Sequence, residues 1–418
     1  MSDQTPLIPY EWPGTYYFGE EEYAAVKDVL DSRSLFRFYG PNLQEYAKRL
    51  EKDFATRLGR KYALAVNSGT AALGIAMGAI GVGPGDEVLL PGYLWVSCVA
   101  AVVRAGAIPR LVDIDDTFCM DPEDLKRKIG PHTRAVLLVH MSGAPGAVDK
   151  IAQICRENKL FLVEDCAQAN GASFHGKPVG SFGDMAIFSF QLNKNMTAGE
   201  GGMVVCDDLK LNRRAWAFHD LGYPRTDEGR LDVSDPEFHL WGQGARCSEL
   251  SAAVLYAQHK KLGRITGDMR RAKWALRAKL EGIPDMKFRR IIDPAGDSGP
   301  FLIMTWKDRE TCLGMVEKTR AAGVVTGPIG VNNIPMTNWG MHIYYNNGSL
   351  VGKTSNSAAG RPWNDPLNAF ASGYSYAKGT LPVLDDLIWR SSMLSIPPVL
   401  SDEAIGKIAA AFHAAAKA

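Results

Sequence analysis

Three stretches of the chain carry the residue types that chemistry needs. Lys194 lies in Ser189-Phe190-Gln191-Leu192-Asn193-Lys194-Asn195-Met196-Thr197-Ala198-Gly199-Glu200-Gly201-Gly202, a polar, glycine-bounded loop between apolar runs, where a lysine has no packing role. Upstream, Val163-Glu164-Asp165-Cys166-Ala167-Gln168 sets acidic groups at the end of a strand-like run expected to be buried on both faces. A bare carboxylate there is costly unless a cation neutralises it. Earlier still, Asn67-Ser68-Gly69-Thr70 precedes a small-residue helical stretch. Hydroxyls and free backbone N–H groups at a helix start make an anion site.

Taken together, the three stretches ask for a ligand with a phosphate, a protonatable ring nitrogen and an aldehyde that condenses with a lysine amine. Pyridoxal 5'-phosphate has all three, and a lysine with an aspartate facing the pyridinium is its usual binding arrangement. Each residue also has a plainer reading. Lys194 could be a solvated loop lysine, Asp165 a helix N-cap, and Trp95 a core aromatic near a strand end. Ser68 and Thr70 could cap the following helix, which uses the same N–H groups as a phosphate and so excludes nothing. His140 and His219 read as structural, and no metal is expected.

The elements that must position these groups follow from apolar periodicity. Glu20 to Leu58 reads as two helices separated by a turn at Gly40-Pro41. Tyr62–Val66, Val88–Pro91, Ile108–Val112, Ala135–Val139 and Phe161–Glu164 are strand-like runs alternating with helical stretches. That alternation predicts a mostly parallel, helix-covered sheet, with ligands beyond the carboxyl ends of its strands. A long helical pattern from Ser248 to Leu280 bridges to a second unit, giving a large cofactor-binding domain over 1–255 and a smaller α/β domain over 256–418. The stretch from Tyr345 to Pro382, rich in Gly, Asn, Ser and Pro, reads as a long loop suited to a lid or specificity loop, with disorder as the alternative.

Composition narrows the class. The 418 residues carry 47 basic and 46 acidic side chains, a net +1, so no global field steers nucleic acid or an anionic membrane, and neither partner is expected. Seven scattered cysteines without a Cys-x-x-Cys pair fit a reducing compartment, with the cytoplasm as the expectation. The N-terminus shows no signal-peptide pattern, and no segment sustains the ~18 apolar residues of a membrane span.

The ordered motifs resemble the DegT/DnrJ/EryC1/StrS aminotransferases, fold-type I pyridoxal-phosphate enzymes acting on keto-sugars and cyclitols. The resemblance runs through Ser68-Gly69-Thr70, Pro91-Gly92-Tyr93-Leu94-Trp95, Val112-Asp113-Ile114-Asp115, Val139-His140-Met141, Glu164 to Gln168, Phe188-Ser189-Phe190, and Lys194 with Gly199-Glu200-Gly201-Gly202. It implies that Lys194 bonds the cofactor and then moves the proton, that Asp165 pairs with the pyridine nitrogen, and that Gln168 lies near the phenolic oxygen. It also implies that Trp95 stacks on the ring, that Ser68, Gly69, Thr70 and Ser189 hold the phosphate, and that two subunits share their active sites.

One departure stands out: where the family carries an Asn two residues before an Arg, Gly242-Gln243-Gly244-Ala245-Arg246-Cys247-Ser248 has Gly244, which puts a cross-subunit phosphate contact in doubt. For the substrates, the resemblance implies glutamate or glutamine as donor and a keto-sugar or keto-cyclitol as acceptor. The loop around Lys194 is similar to aminohydroxybenzoate synthases and scyllo-inosose aminotransferases. The segments Ile292–Leu302, Thr337-Asn338-Trp339 and Arg390–Met393 resemble instead the enzymes that make 8-amino-3,8-dideoxy-octulosonate for lipopolysaccharide, which implies 8-oxo-Kdo as acceptor. Arg246 and Tyr345 are expected at the substrate, with Arg37 and Arg390 as further arginines for a carboxylate. An aromatising synthase and a non-catalytic cofactor- or sugar-binding protein are the rivals. A dehydratase is disfavoured, because the dehydratases that resemble this chain replace the lysine.

Overall fold

The apolar runs pair into one seven-stranded sheet in the computed structural model, which describes residues 6–10, 12–226, 228–326 and 332–417. Its strands are β1 (Tyr62–Val66), β2 (Glu87–Pro91), β3 (Ile108–Val112), β4 (Thr133–Val139) and β5 (Phe161–Asp165), then, after a small hairpin of β6 (Ser173–Phe174) and β7 (Lys177–Pro178), β8 (Met185–Ser189) and β9 (Gly202–Cys206). The spatial order is β1-β9-β8-β5-β4-β2-β3. Pairings from β3 through β8 are parallel, and only β9 runs antiparallel, to β8 and β1. Pro109 is tolerated because β3 is the edge strand, where a missing N–H breaks no ladder on the outer side.

Helices cover both faces, as continuous apolar strands require. The first eight are α1 (Glu20–Ser32), α2 (Tyr46–Leu58), α3 (Gly69–Ala79), α4 (Val96–Arg104), α5 (Pro122–Lys128), α6 (Val148–Glu157), α7 (Leu209–His219) and α8 (Glu249–Leu280). On one face Leu73, Ala76 and Met77 of α3 join Val88, Leu137, Val163 and Ile187 in a core. On the other, Phe54 of α2 and Leu255 and Leu262 of α8 pack on Phe188 and Val205.

The second unit is a four-stranded antiparallel sheet ordered β10 (Met286–Phe288), β11 (Phe301–Trp306), β13 (Ser391–Ser395), β12 (Ile334–Pro335). Around it stand α9 (Arg309–Ala321), the short α10 (Gly348–Val351), α11 (Pro382–Trp389) and α12 (Asp402–Lys417). Ser248 caps α8 by accepting from Ser251 N, and the helix then runs unbroken for 32 residues to Leu280, where the sequence pattern ends it. The expected division at 255/256 therefore lies inside a helix shared by both units. Ile8, far upstream, is buried with Leu276, Trp306 and Phe412 of the second unit.

The stretch from Tyr345 to Pro382 is not a free loop. Tyr376 and Leu381 are buried in the large core, Tyr374 Oη donates to Glu87 Oε2 at 2.7 Å, and Asn368 Nδ2 donates to Gly106 O at 3.0 Å. It straps the outer β2–β3 edge, and its polar composition is used in bonds to loop backbone.

Candidate active site

The carboxyl ends of β1, β2, β4, β5 and β8 face one edge of the sheet, and there a cavity of about 730 Å³ opens between the two units. Lys194, Asp165, Gln168, Ser189, Trp95 and the Ser68-Gly69-Thr70 turn all line it. Sequence positions up to 126 residues apart (68 to 194) thus converge on one site.

Asp165 ends β5 and is sealed from solvent. Its Oδ1 accepts from Ala167 N at 2.9 Å and its Oδ2 from Cys98 Sγ at 3.1 Å. Burial raises the carboxyl pKa, while those two donors and the nearby Lys194 charge oppose the rise. Lys194 follows β8 in a tight turn, its N–H donating to Gln191 O at 2.9 Å. Its ammonium makes no hydrogen bond or ion pair with any described residue. Burial lowers its pKa, against the pull of Asp165.

At the other end of the cavity Ser68 caps α3, its Oγ accepting from Ala71 N at 3.1 Å, while the Gly69 and Thr70 amides belong to the first turn and have no intrahelical acceptor. A Cβ on Gly69 would stand 2.6 Å from Cβ of Ser189, so only glycine lets the helix start meet the end of β8. Likewise a Cβ on Gly202 would meet Ser68 O at 2.5 Å, which accounts for the second of the two glycines after Glu200. Gln168 receives Ser142 N at 3.0 Å on its Oε1. Trp95 is 43% exposed and tilts against His342, with ring centroids 4.7 Å apart.

The remaining expected residues lie elsewhere. Arg246 is not on the cavity wall; it pairs with the buried Asp220, which also holds Arg225. Tyr345 is also off the wall, packed edge-on against Tyr344. Arg37 bonds Glu51 and Arg390 bonds Asp386, both away from the cavity. Gly244 has φ +64°, a left-handed conformation that Asn also tolerates, and a Cβ there would meet nothing within 4 Å. Its position has room for the absent side chain.

His140 has a partner that the sequence did not reveal: its Nε2 and Glu164 Oε2 lie 2.9 Å apart in the core. Glu164 also accepts from the amides of Gly180, Phe182 and Gly183. Burial works to raise its pKa, but His140 and these amides outweigh it and hold the carboxyl below its usual range. Cys166 lies close to both, yet the Glu164 oxygens already carry four contacts, so the cluster reads as structural.

Several wall residues were missed. Ser97, whose Oγ is 2.9 Å from Thr70 Oγ1, lies on the first turn of α4, and Cys98 beside it stands behind the wall on Asp165; their place two and three residues after Trp95 was the available signal. Asn338 and Trp339, singled out in the sequence only through a resemblance, and His342, not singled out at all, come from successive short turns whose lack of periodicity gave no sign of the cavity.

Comparison with known proteins places the chain in a family. Residues 17–350 match the model of the DegT/DnrJ/EryC1/StrS aminotransferase family. The chain is 35% identical over 256 residues to a putative L-glutamine:3-amino-2,3-dideoxy-scyllo-inosose aminotransferase of Micromonospora echinospora, covering 60% of this chain and 59% of that one. It is 37% identical over 255 residues to the protein of the same description in Streptoalloteichus tenebrarius, covering 61% and 60%. The chain thus spans about three-fifths of the length of these curated relatives. Among solved structures it resembles the aminotransferase TlmJ of Streptoalloteichus hindustanus, with TM-score 0.77, 26% identity and 98% of both chains covered. It also resembles 3-amino-5-hydroxybenzoic acid synthase, with TM-score 0.77, 27% identity and 99% and 100% covered. With the match extending over most of its length, the chain belongs to the DegT/DnrJ/EryC1/StrS aminotransferase family.

Proposed function

We propose that the protein is a pyridoxal-phosphate-dependent aminotransferase that moves an amino group from L-glutamine or L-glutamate to the carbonyl of a keto-sugar or keto-cyclitol. The observation that carries this reading is the convergence on one cavity of an unpaired lysine, a buried carboxylate and a helix start that only glycine permits.

These residues fit the cofactor group by group. The Gly69 and Thr70 amides with the Ser68 and Ser189 hydroxyls would hold the phosphate. Asp165, buried without an ion pair, calls for a cation, and a protonated ring nitrogen supplies one. Gln168 would lie by the phenolic oxygen and Trp95 along the ring. When bound, the cofactor supplies an electron sink for charge that develops on the substrate carbon.

The chain's own part is proton handling and exclusion of water. Burial raises the Asp165 pKa, and the Ala167 N–H and the Cys98 thiol work against that rise, favouring the ionised form that a protonated ring nitrogen would pair with. The Lys194 amine, with a lowered pKa and no anion locking it, is free to take a proton from one carbon and return it to the next as general acid and base. Trp339 and Phe301 of the second unit add apolar wall, and Gln191, Asn193, Asn338 and His342 are among its hydrogen-bonding groups.

For the acceptor, a keto-cyclitol of the scyllo-inosose type is the reading supported by both curated relatives. A second reading, 8-oxo-Kdo and a role in lipopolysaccharide sugars, draws on the C-terminal resemblance, and Asn338 and Trp339 of that segment do line the cavity. Lys194 is the only lysine or arginine among the described wall residues, so a carboxylate, whether of the donor or of 8-oxo-Kdo, meets no guanidinium on that wall. We assign a homodimer that shares its active sites. No described helix is long and apolar enough to cross a membrane. The seven cysteines are all buried and free, in keeping with a cytoplasmic enzyme.

The test is an absorbance spectrum of purified protein with added pyridoxal phosphate, then with glutamine and with glutamate. A visible band that is discharged by one donor and restored by scyllo-inosose supports the full reading, and restoration by 8-oxo-Kdo alone supports the second. Lys194→Ala is expected to lose both band and turnover. A variant with undiminished transamination would sink the mechanism, and a band that neither donor moves would favour the aromatising synthase.

A further inference from the structure

His342 belongs to the second unit but stands in the cavity wall, its ring lying 4.7 Å from Trp95 on one side and 4.7 Å from Trp339 on the other. Its Nδ1 is 2.9 Å from Trp339 O. A carbonyl oxygen only accepts, so Nδ1 carries the hydrogen, and the neutral imidazole then has its lone pair on Nε2. Burial, with the nearby Lys194 charge, pushes the ring pKa down to about 3, so the ring stays neutral at any working pH. Nε2 has no partner among the described residues and is not among the atoms sealed inside the protein.

The result is a fixed, uncharged acceptor between Trp95 and Trp339 on the cavity wall. It has no charge to attract the carboxylate of an amino donor, and a lone pair repels one. A hydroxyl group, in contrast, donates to it directly. We infer that His342 is a specificity-determining residue whose Nε2 accepts a hydrogen bond from a hydroxyl of the ketone substrate, so that the site reads a polyhydroxylated acceptor. The inference rests on the aminotransferase reading above and narrows it to the ketone half of the reaction.

The test compares the wild-type protein with His342→Phe, which keeps an aromatic ring between the tryptophans and loses the acceptor, and with His342→Gln, whose amide oxygen reaches a similar position. Each is loaded with pyridoxal phosphate, discharged with whichever of glutamine and glutamate acts, and mixed with scyllo-inosose over a concentration range. Return of the visible band gives the half-saturating ketone concentration. Quenching of tryptophan fluorescence by the non-reacting polyol scyllo-inositol gives binding separately, and thermal unfolding shows that each variant is folded.

Loss of one neutral hydrogen bond predicts that His342→Phe raises both values about tenfold. His342→Gln should return within about threefold of wild type, and the donor step in His342→Phe should shift far less than the ketone step. The inference falls if His342→Phe stays within twofold of wild type, if it slows both half-reactions equally, or if His342→Gln is no better. It also falls if the wild-type protein is discharged by a donor yet ignores scyllo-inosose, a result that leaves the aminotransferase reading standing. A wild-type protein that develops no band, or a band that no donor moves, removes the underlying reading and the inference with it.

Discussion

Cys98 donates its thiol hydrogen to Oδ2 of Asp165 across 3.1 Å, with both side chains sealed from solvent. Burial and the neighbouring carboxylate hold the Cys98 pKa well above its ordinary value, so the group remains a thiol and a donor. A thiol is a weak donor, and Asp165 already carries a raised pKa. Cys98→Val is expected to raise the Asp165 pKa further and weaken cofactor binding by about 3- to 10-fold, whereas Cys98→Ser strengthens the bond and lowers that pKa. Cofactor dissociation constants and the pH titration of the visible band measure both. Equal constants for wild type and Cys98→Val would mean that the thiol does not hold Asp165.

The close approach of Gly69 to Ser189 makes a second prediction. Ser189 ends a strand held on both sides, by β5 and β9, so it has no room to retreat from a new methyl 2.6 Å away. Gly69→Ala should destabilise the fold by about 1–3 kcal/mol and shift the start of α3. Pyridoxal phosphate should then bind more weakly than the change in stability accounts for, because the amides that face the phosphate move. Urea midpoints and cofactor titration separate the two effects, and an unchanged dissociation constant in the folded variant would remove the phosphate role from this turn.

Much of this site was legible because local chemistry and local pattern coincide in it. The strand-like runs ending at Val66, Pro91, Val139 and Glu164 are short and apolar, and a parallel sheet gathers their ends at one edge whatever the detail of the loops. Lys194 stood out because glycines and polar residues isolate it. What was not legible depends on distant packing. The turns that carry Asn338 and His342 have no period, so only the folded chain shows that they reach the cavity. Arg246 looked available in sequence because Asp220, its partner, lies 26 residues away. The Tyr345 to Pro382 stretch read as a lid because its composition is polar, although its bonds go to Glu87, Gly106 and Pro109.

Arg289 shows how the second unit reaches the site without touching it. The buried guanidinium gives its hydrogens to the carbonyls of Thr117, Met141, Ser142 and Ala144. In that loop Ser142, at φ +57°, turns its N–H onto Gln168. Replacing Arg289 by Met leaves several buried carbonyls without donors, an expected loss of about 3–5 kcal/mol, and Lys cannot restore the forked geometry. Gln168 should lose its fixed orientation at the same time. The checks are urea unfolding together with the wavelength of the cofactor band. A variant that is destabilised with an unmoved band would limit Arg289 to holding the two units together.

The last prediction concerns acid. His259, in α8, packs its ring 5.3 Å from Phe54, and its buried Nδ1 has no hydrogen-bond partner. Burial, with help from Arg57, lowers its pKa to about 4. In the unfolded chain the imidazole takes up a proton near pH 6.5, whereas in the folded chain it does so only near 4. Between those values the unfolded state binds more protons, so stability falls as pH falls, by up to about 1.4 kcal/mol per pH unit from this residue. At pH 5 the accumulated loss is about 2 kcal/mol. His259→Leu removes the proton and keeps an apolar side chain against Phe54. Urea unfolding from pH 8 to pH 5 should therefore show similar stability for variant and wild type at the upper end and a growing advantage for the variant below pH 6.5. Parallel curves across that range would show that His259 is protonated as readily in the folded protein as in the unfolded chain.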